Sequence, residues 1–183
     1  MVVSPASMDA NATVDTLRTQ SGLSLSESWW KFLCRIQVPA KVKLFHNGIP
    51  TNSNLAKRGV LVDSLCLICR RRSESTMHSY WCCPALKVIR AGCPFMRGIK
   101  VNDNFDFIDF MLLCRDKLAK ADLELLCLLL WRLWHRRNCS VHGSTSLPYT
   151  DIIPWSESFL SDFRNANSGG IPSAGVSKMA APS

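Results

Sequence analysis

Cys66-Leu67-Ile68-Cys69, followed by His78 and Cys83, constrains this chain more than any other stretch, because C-x2-C-x8-H-x4-C sets three thiols and one imidazole within 18 residues. That is the ligand inventory of a closed tetrahedral zinc site. Two thiolates two residues apart grip a metal from a tight loop, and the second pair closes the shell. Cys82 and Cys83 compete for the fourth place. Cys83 is preferred, because it precedes Pro84, which suits the first turn of a helix running to about Ala91 with Gly92 as its stop. Four protein ligands leave no open coordination position, so the expectation is one structural Zn2+ and no catalytic metal. A redox or nucleophilic role for Cys66-x2-Cys69 is weaker: no strand-to-helix unit frames it, and a second ligand pair follows.

Around this cluster the charge is uneven. Residues 29–100 carry 13 basic side chains and two acidic ones, Asp63 and Glu74, which accounts for the whole excess of a chain with net charge +8. A three-thiolate zinc complex would leave that segment strongly positive, so RNA or DNA is the natural partner to consider, with Lys41, Lys43, Lys57, Arg58, Arg70, Arg71 and Arg72 as candidate phosphate contacts. A solvated basic surface is the alternative reading of the same charges.

Composition divides the chain. Residues 1–26 and 167–183 are small, polar and poor in large apolar side chains, and read as disordered tails. Between them the reading is a zinc-binding domain over 27–100 and a helical region over 101–166 that packs on or follows it. No secretory signal opens the chain and no apolar run reaches the roughly 18 residues a membrane span needs, so an intracellular protein without membrane association is expected, nucleus and cytoplasm not being distinguishable. Its nine cysteines should then be reduced, and Cys34, Cys93, Cys114, Cys127 and Cys139, lacking paired spacing, read as small hydrophobic residues.

The periodicities are helical. Trp29, Phe32, Leu33 and Ile36 share one face behind Ser26, and these tryptophans are either core or stacking platforms for bases. Lys41 to Phe45 fits a short helix or a strand. Thr51 is placed to cap a helix through Arg58, with Gly59 in the C′ position. Phe105, Ile108, Met111 and Leu112 predict a further helix capped by Asn102 or Asn104, with Asp106 and Asp109 near its first turns. A segment from about Ala121 to Cys139 is apolar nearly all round and must be buried or form an interface; self-association through Leu123–Trp134 is one outcome. Arg132, His135, Arg136 and Arg137 close it with cations that suit a helix C-terminus, and Ile152 to Phe163 is expected to dock on it. The fold class is therefore mainly α: a small zinc-stabilised helical domain, then a long apolar helix, with disordered tails.

Taken in order, Val38-Pro39-Ala40-Lys41-Val42-Lys43-Leu44-Phe45, Pro50-Thr51, Asn54-Leu55-Ala56-Lys57-Arg58-Gly59, Cys66-x2-Cys69, Glu74-Ser75, His78 and Cys83-Pro84 resemble the reverse-transcriptase zinc-binding domain of plant LINE-type non-LTR retrotransposons. Leu130-Trp131-Arg132-Leu133-Trp134-His135-Arg136-Arg137-Asn138 resembles the helix that joins it to a ribonuclease H domain in those polyproteins. The resemblance implies that Cys66, Cys69, His78 and Cys83 hold the zinc and that the parent element handled nucleic acid. Ile89 stands where that family commonly has a tryptophan, and the segment after Phe45 is shorter. Without polymerase or ribonuclease H signatures the chain reads as a fragment, non-enzymatic, whose function is zinc-supported, non-specific binding of RNA or DNA. The alternative is a structural or protein-interaction remnant with zinc as a folding staple.

Overall fold

The computed structural model describes residues 34–42, 50–60, 63–102 and 105–168. Residues 26–33 of the first expected helix, Lys43, Leu44, Phe45, Asn104, the whole of the expected tail 1–26 and all but two residues of the expected tail 167–183 lie outside them. The architecture is helical, as the periodicities predict. Among the described residues the only β pairing is one antiparallel bridge, Leu65 with Ser73. Among the described residues five α-helices have both ends defined, in order α1 Asn52–Lys57, α2 Lys87–Gly92, α3 Phe107–Lys117, α4 Lys120–Val141 and α5 Tyr149–Ser168.

Helix α1 is short, and its ends are well defined. The Thr51 hydroxyl accepts from Asn54 N–H at 3.3 Å. At the other end Gly59 N–H donates to Ala56 O and Val60 N–H to Leu55 O, both at 3.0 Å, which is the Schellman arrangement. Gly59 takes φ +78° and has open space where a Cβ would sit, so only backbone strain opposes a side chain there. Gly59→Ala should therefore cost about 1 kcal/mol in urea unfolding, the penalty of a left-handed residue bearing a Cβ.

The long apolar segment is α4, with Leu126, Leu128, Leu129 and Leu130 fully buried by the chain's own elements. Its surface is covered by α3, by α5 and by the turn that carries His78. On the α5 side Trp131 stacks on Trp155, Trp155 on Phe159, and the Arg132 guanidinium lies 4.4 Å over the Trp155 ring. Arg136 similarly sits 4.1 Å over Tyr149, so two cations of the helix end serve as packing groups. Glu124, buried within the apolar run, accepts from Gln37 N–H at 2.7 Å and from Arg164 at 2.6 Å, tying residues 36–42 and α5 to the same helix.

Four expectations need correction. The cap of α3 is Asp106, whose carboxylate accepts from Ile108 N–H at 2.7 Å, and the helix starts at Phe107; an aspartate two residues from the orphan amides outcompetes Asn102. After Cys83 the chain makes a 3-10 turn, Pro84–Leu86, before α2, and Gly92 belongs to α2. A Cβ on Gly92 would lie 2.6 Å from Ile153 Cδ1, so this glycine admits α5 at close approach. Helix α5 runs through Ser168, with Asn167 Nδ2 donating to Phe163 O. Finally, Cys93, Cys114 and Cys127 are buried, and burial pushes their thiols up, to about 11 for Cys93 and about 12 for Cys127, but Cys34 is exposed and Cys139 is half-buried beside His135.

Candidate metal centre

The first ligand pair stands on a tight hairpin. Cys66 N–H donates to Arg72 O and Arg70 N–H to Cys66 O, both at 2.8 Å, and Glu74 N–H reaches Ser64 O at 2.7 Å. Arg70 adopts φ 51°, the left-handed kink that turns the chain back after Cys69. Arg70, Arg71 and Arg72 are all exposed, as are Lys57 and Arg58 on α1. The side chain of Lys41 and all of Lys43 lie outside the described residues.

The second pair stands on a wide turn, His78–Cys82, of π-helical form. Its closing bond runs from Cys83 N–H to His78 O at 2.9 Å, five residues back. In an α-helix positions i and i+5 point to different sides; the wider turn brings them together, which is the physical meaning of the H-x4-C spacing. The turn is held by its own aromatic side chains. Tyr80 and Trp81 plunge into the core, with ring centroids 5.3 Å from Phe107, 6.1 Å from Trp134 and 4.8 Å from Phe110. Arg90 of α2 donates to the carbonyls of Trp81 and Cys83.

These supports bring Cys66, Cys69, His78 and Cys83 together, with one ligand atom from each lying within 4.8 Å of all the others. Cys66 Sγ and Cys83 Sγ are 4.0 Å apart, and Cys69 Sγ is 3.3 Å from His78 Nε2. A tetrahedron with metal–sulfur bonds of about 2.3 Å has edges of about 3.8 Å, so the donor set fits a zinc-sized ion. Cys82 points elsewhere, its thiol 3.9 Å from Val101 O. Cys66, His78 and Cys83 are buried and Cys69 half-buried, so the arrangement is closed to substrate.

Thiol and imidazole chemistry in the cluster is coupled. The Cys83 thiol donates to Cys66, holding Cys66 well below the usual thiol range and Cys83 well above it. His78 is pushed up to about 9, chiefly by its hydrogen bond with Cys66 and then with Cys69, against the opposing effect of burial. Metal-free, the cluster therefore favours a thiolate beside an imidazolium. A bound cation would replace that proton with its own charge.

Residues that do not touch the cluster nevertheless hold it. Glu74, the hairpin's exit residue, is fully buried and receives Arg137 of α4 in a two-pronged ion pair, Nε to Oε1 at 3.0 Å and Nη2 to Oε2 at 2.6 Å. Arg137 also donates to Asn52 Oδ1 at 3.0 Å, while Asn52 N–H donates to Glu74 Oε2 at 2.8 Å and Asn52 Nδ2 to Leu65 O at 2.9 Å. One ion pair thus joins α1, the hairpin and α4. Sequence reasoning read Arg137 only as a helix-end cation. The available signal was a lone glutamate between two ligand pairs in an otherwise basic stretch.

A helical module with a closed Cys3His cluster is what fold and site define. The family model described as zinc-binding in reverse transcriptase matches residues 13–89, a span that includes all four clustered side chains and ends within α2. That description concerns a zinc-binding segment and not the polymerase. No curated protein and no solved structure matches the chain. Among the described residues no helix is long and apolar enough to cross a membrane.

Proposed function

We propose that this chain is a non-catalytic zinc-binding module, inherited from the polyprotein of a plant LINE-type retrotransposon, that binds RNA or DNA through phosphate contacts without reading sequence. The metal is one structural Zn2+ held by Cys66, Cys69, His78 and Cys83. The family match and the closeness of the four donors support this part of the reading. Its role is to fix the hairpin and the wide turn in one frame, since a four-ligand shell offers no position for a reacting group.

The observation that carries the nucleic-acid part is where the charge lies. Arg70, Arg71 and Arg72 are exposed on the hairpin that carries Cys66 and Cys69, and Lys57 and Arg58 are exposed at the end of α1. Of the two acids in residues 29–100, Glu74 is buried against Arg137, and only Asp63 remains to offset them at the surface. Cations so placed attract a polyanion and bind it by counterion release. Self-association through Leu123–Trp134 is the weaker reading, because most of that apolar surface is already buried within the chain.

Fluorescence anisotropy with labelled RNA and DNA oligonucleotides at increasing salt tests the proposal. Binding should weaken linearly on a log–log plot, with a slope near −0.7 for each phosphate contacted on a single strand. Absence of binding at about 50 mM salt, a condition that favours phosphate contacts, would remove the nucleic-acid part and leave the zinc module.

A further inference from the structure

Arg72, one of the exposed arginines of the hairpin, also borders a concavity. A cleft of about 510 Å3 opens between the hairpin, the ligand-bearing turn and the segment after α2. It falls in the roughly 300–1,000 Å3 range of small-ligand sites. Arg72, Arg90, Arg97 and Lys100 line it, and among the described residues no acidic side chain does. Between these cations the lining is mixed, with Trp81, Met96, Ile99 and Val101 as its apolar members and Asn102 as a polar one.

The cations differ in their duties. Arg90 is spent on the carbonyls of Trp81 and Cys83, so it contributes field and a fixed wall. Arg97 and Lys100 are exposed at the mouth, on a short 3-10 turn (Pro94–Gly98) and just after it. The wall is rigid: Met96 and Ile99 are buried at 4% and 6% exposure, and both belong to the same core cluster as the ligand-bearing turn. A preformed concavity with positive charge at its rim and apolar patches in its lining has the two components single-strand binding needs, phosphate neutralisation and a surface for the base. A duplex presents its phosphates on a convex surface and keeps its bases stacked, so it cannot fill such a recess.

We infer that this cleft seats one nucleotide unit of a single-stranded nucleic acid, its phosphate against Arg97, Lys100 and Arg72 and its base against the half-buried Val101 and the narrow exposed edges of Met96 and Ile99. The inference rests on the nucleic-acid reading above and gives it a place. Only Arg72 belongs also to the candidates drawn from the sequence. Arg97 and Lys100 follow the ligand cluster by 14 and 17 residues, and folding brings them to Arg72.

The test compares two charge reversals of equal size in the full chain: Arg97→Glu with Lys100→Glu at the cleft, and Lys87→Glu with Lys117→Glu, which do not line it and are not among the candidate phosphate contacts. All four side chains are exposed, and retained zinc content and circular dichroism verify folding. Anisotropy with a single-stranded 20-mer, its duplex, and the single strand in competition with inorganic phosphate at matched ionic strength is the readout. The expected result is a loss of roughly 10- to 100-fold on the single strand for the cleft pair, with a salt slope shallower by about 1.4 for two lost contacts. The control pair should change binding by less than about threefold, duplex should bind more weakly than single strand, and inorganic phosphate should compete. Equal losses for both pairs, or a preference for duplex, would overturn the cleft while nucleic-acid binding itself stands. No binding by the unmodified chain would overturn both.

Discussion

Cys69→Ser and Cys83→Ser should each abolish stoichiometric zinc binding and unfold the hairpin and wide turn, whereas Cys82→Ser should retain one zinc and the native circular dichroism. The asymmetry follows from geometry: Cys69 and Cys83 lie in the four-donor cluster, and Cys82 faces Val101 O. Loss of a structural metal belongs to the small group of changes that cost more than about 4 kcal/mol, which for a chain of this size lowers Tm by roughly 10–20 °C. Zinc affinity should also depend on pH. His78, pushed up to about 9, holds a proton in the metal-free protein at neutral pH that zinc must displace. Affinity should therefore rise as pH increases toward 9 and fall on acidification, by about tenfold per pH unit for each displaced proton. Competition titration against a chelator at several pH values measures this. Zinc retained by Cys83→Ser but lost by Cys82→Ser would show that the fourth donor has been misassigned.

What the sequence disclosed and what it hid divide along physical lines. Local signals read correctly because their causes are local. Thr51 and Gly59 bracket α1, the apolar run of α4 is buried, and the α5 segment packs on it. The gathering of Cys66, Cys69, His78 and Cys83 was equally legible, since C-x2-C and H-x4-C each reflect one turn of backbone. Long-range pairing has no such signature. Glu74 and Arg137 are 63 residues apart, and nothing in either neighbourhood announces that they meet. Arg97 and Lys100 looked like ordinary solvated charges until folding placed them across a cleft from Arg72. The tertiary role of Gly92 was hidden in the same way, because a helix stop and a close helix contact both call for glycine. Ile89, standing where the resembling family has tryptophan, is 1% exposed, so the smaller side chain still fills a core position.

The Glu74–Arg137 pair should prove to be the other point of failure, and by a different route. Its partners are almost fully enclosed, with side-chain exposures of 1% and 9%. A buried pair is not necessarily more stabilising than apolar groups of the same volume, but removing one member strands the other charge. Glu74→Ala and Arg137→Ala should each cost about 3–5 kcal/mol in urea unfolding with zinc present. The two losses should not add, because either substitution breaks the same two Arg137–Glu74 bonds, while each removes its own hydrogen bond to Asn52; a double-mutant cycle should give a coupling of several kcal/mol. Arg137→Lys should recover only part of the stability, since an ammonium cannot match both carboxylate oxygens and Asn52 at once. Glu74→Leu combined with Arg137→Met should be milder than either alanine variant, because no charge is left unpaired. The pair also joins the metal hairpin to the helical core, so Arg137→Ala should weaken zinc retention although Arg137 is not a ligand. Single losses below about 1 kcal/mol, or additive ones, would mean that the hairpin is held by the metal and the Tyr80–Trp81 anchors alone, and that the ion pair is a passenger in the fold.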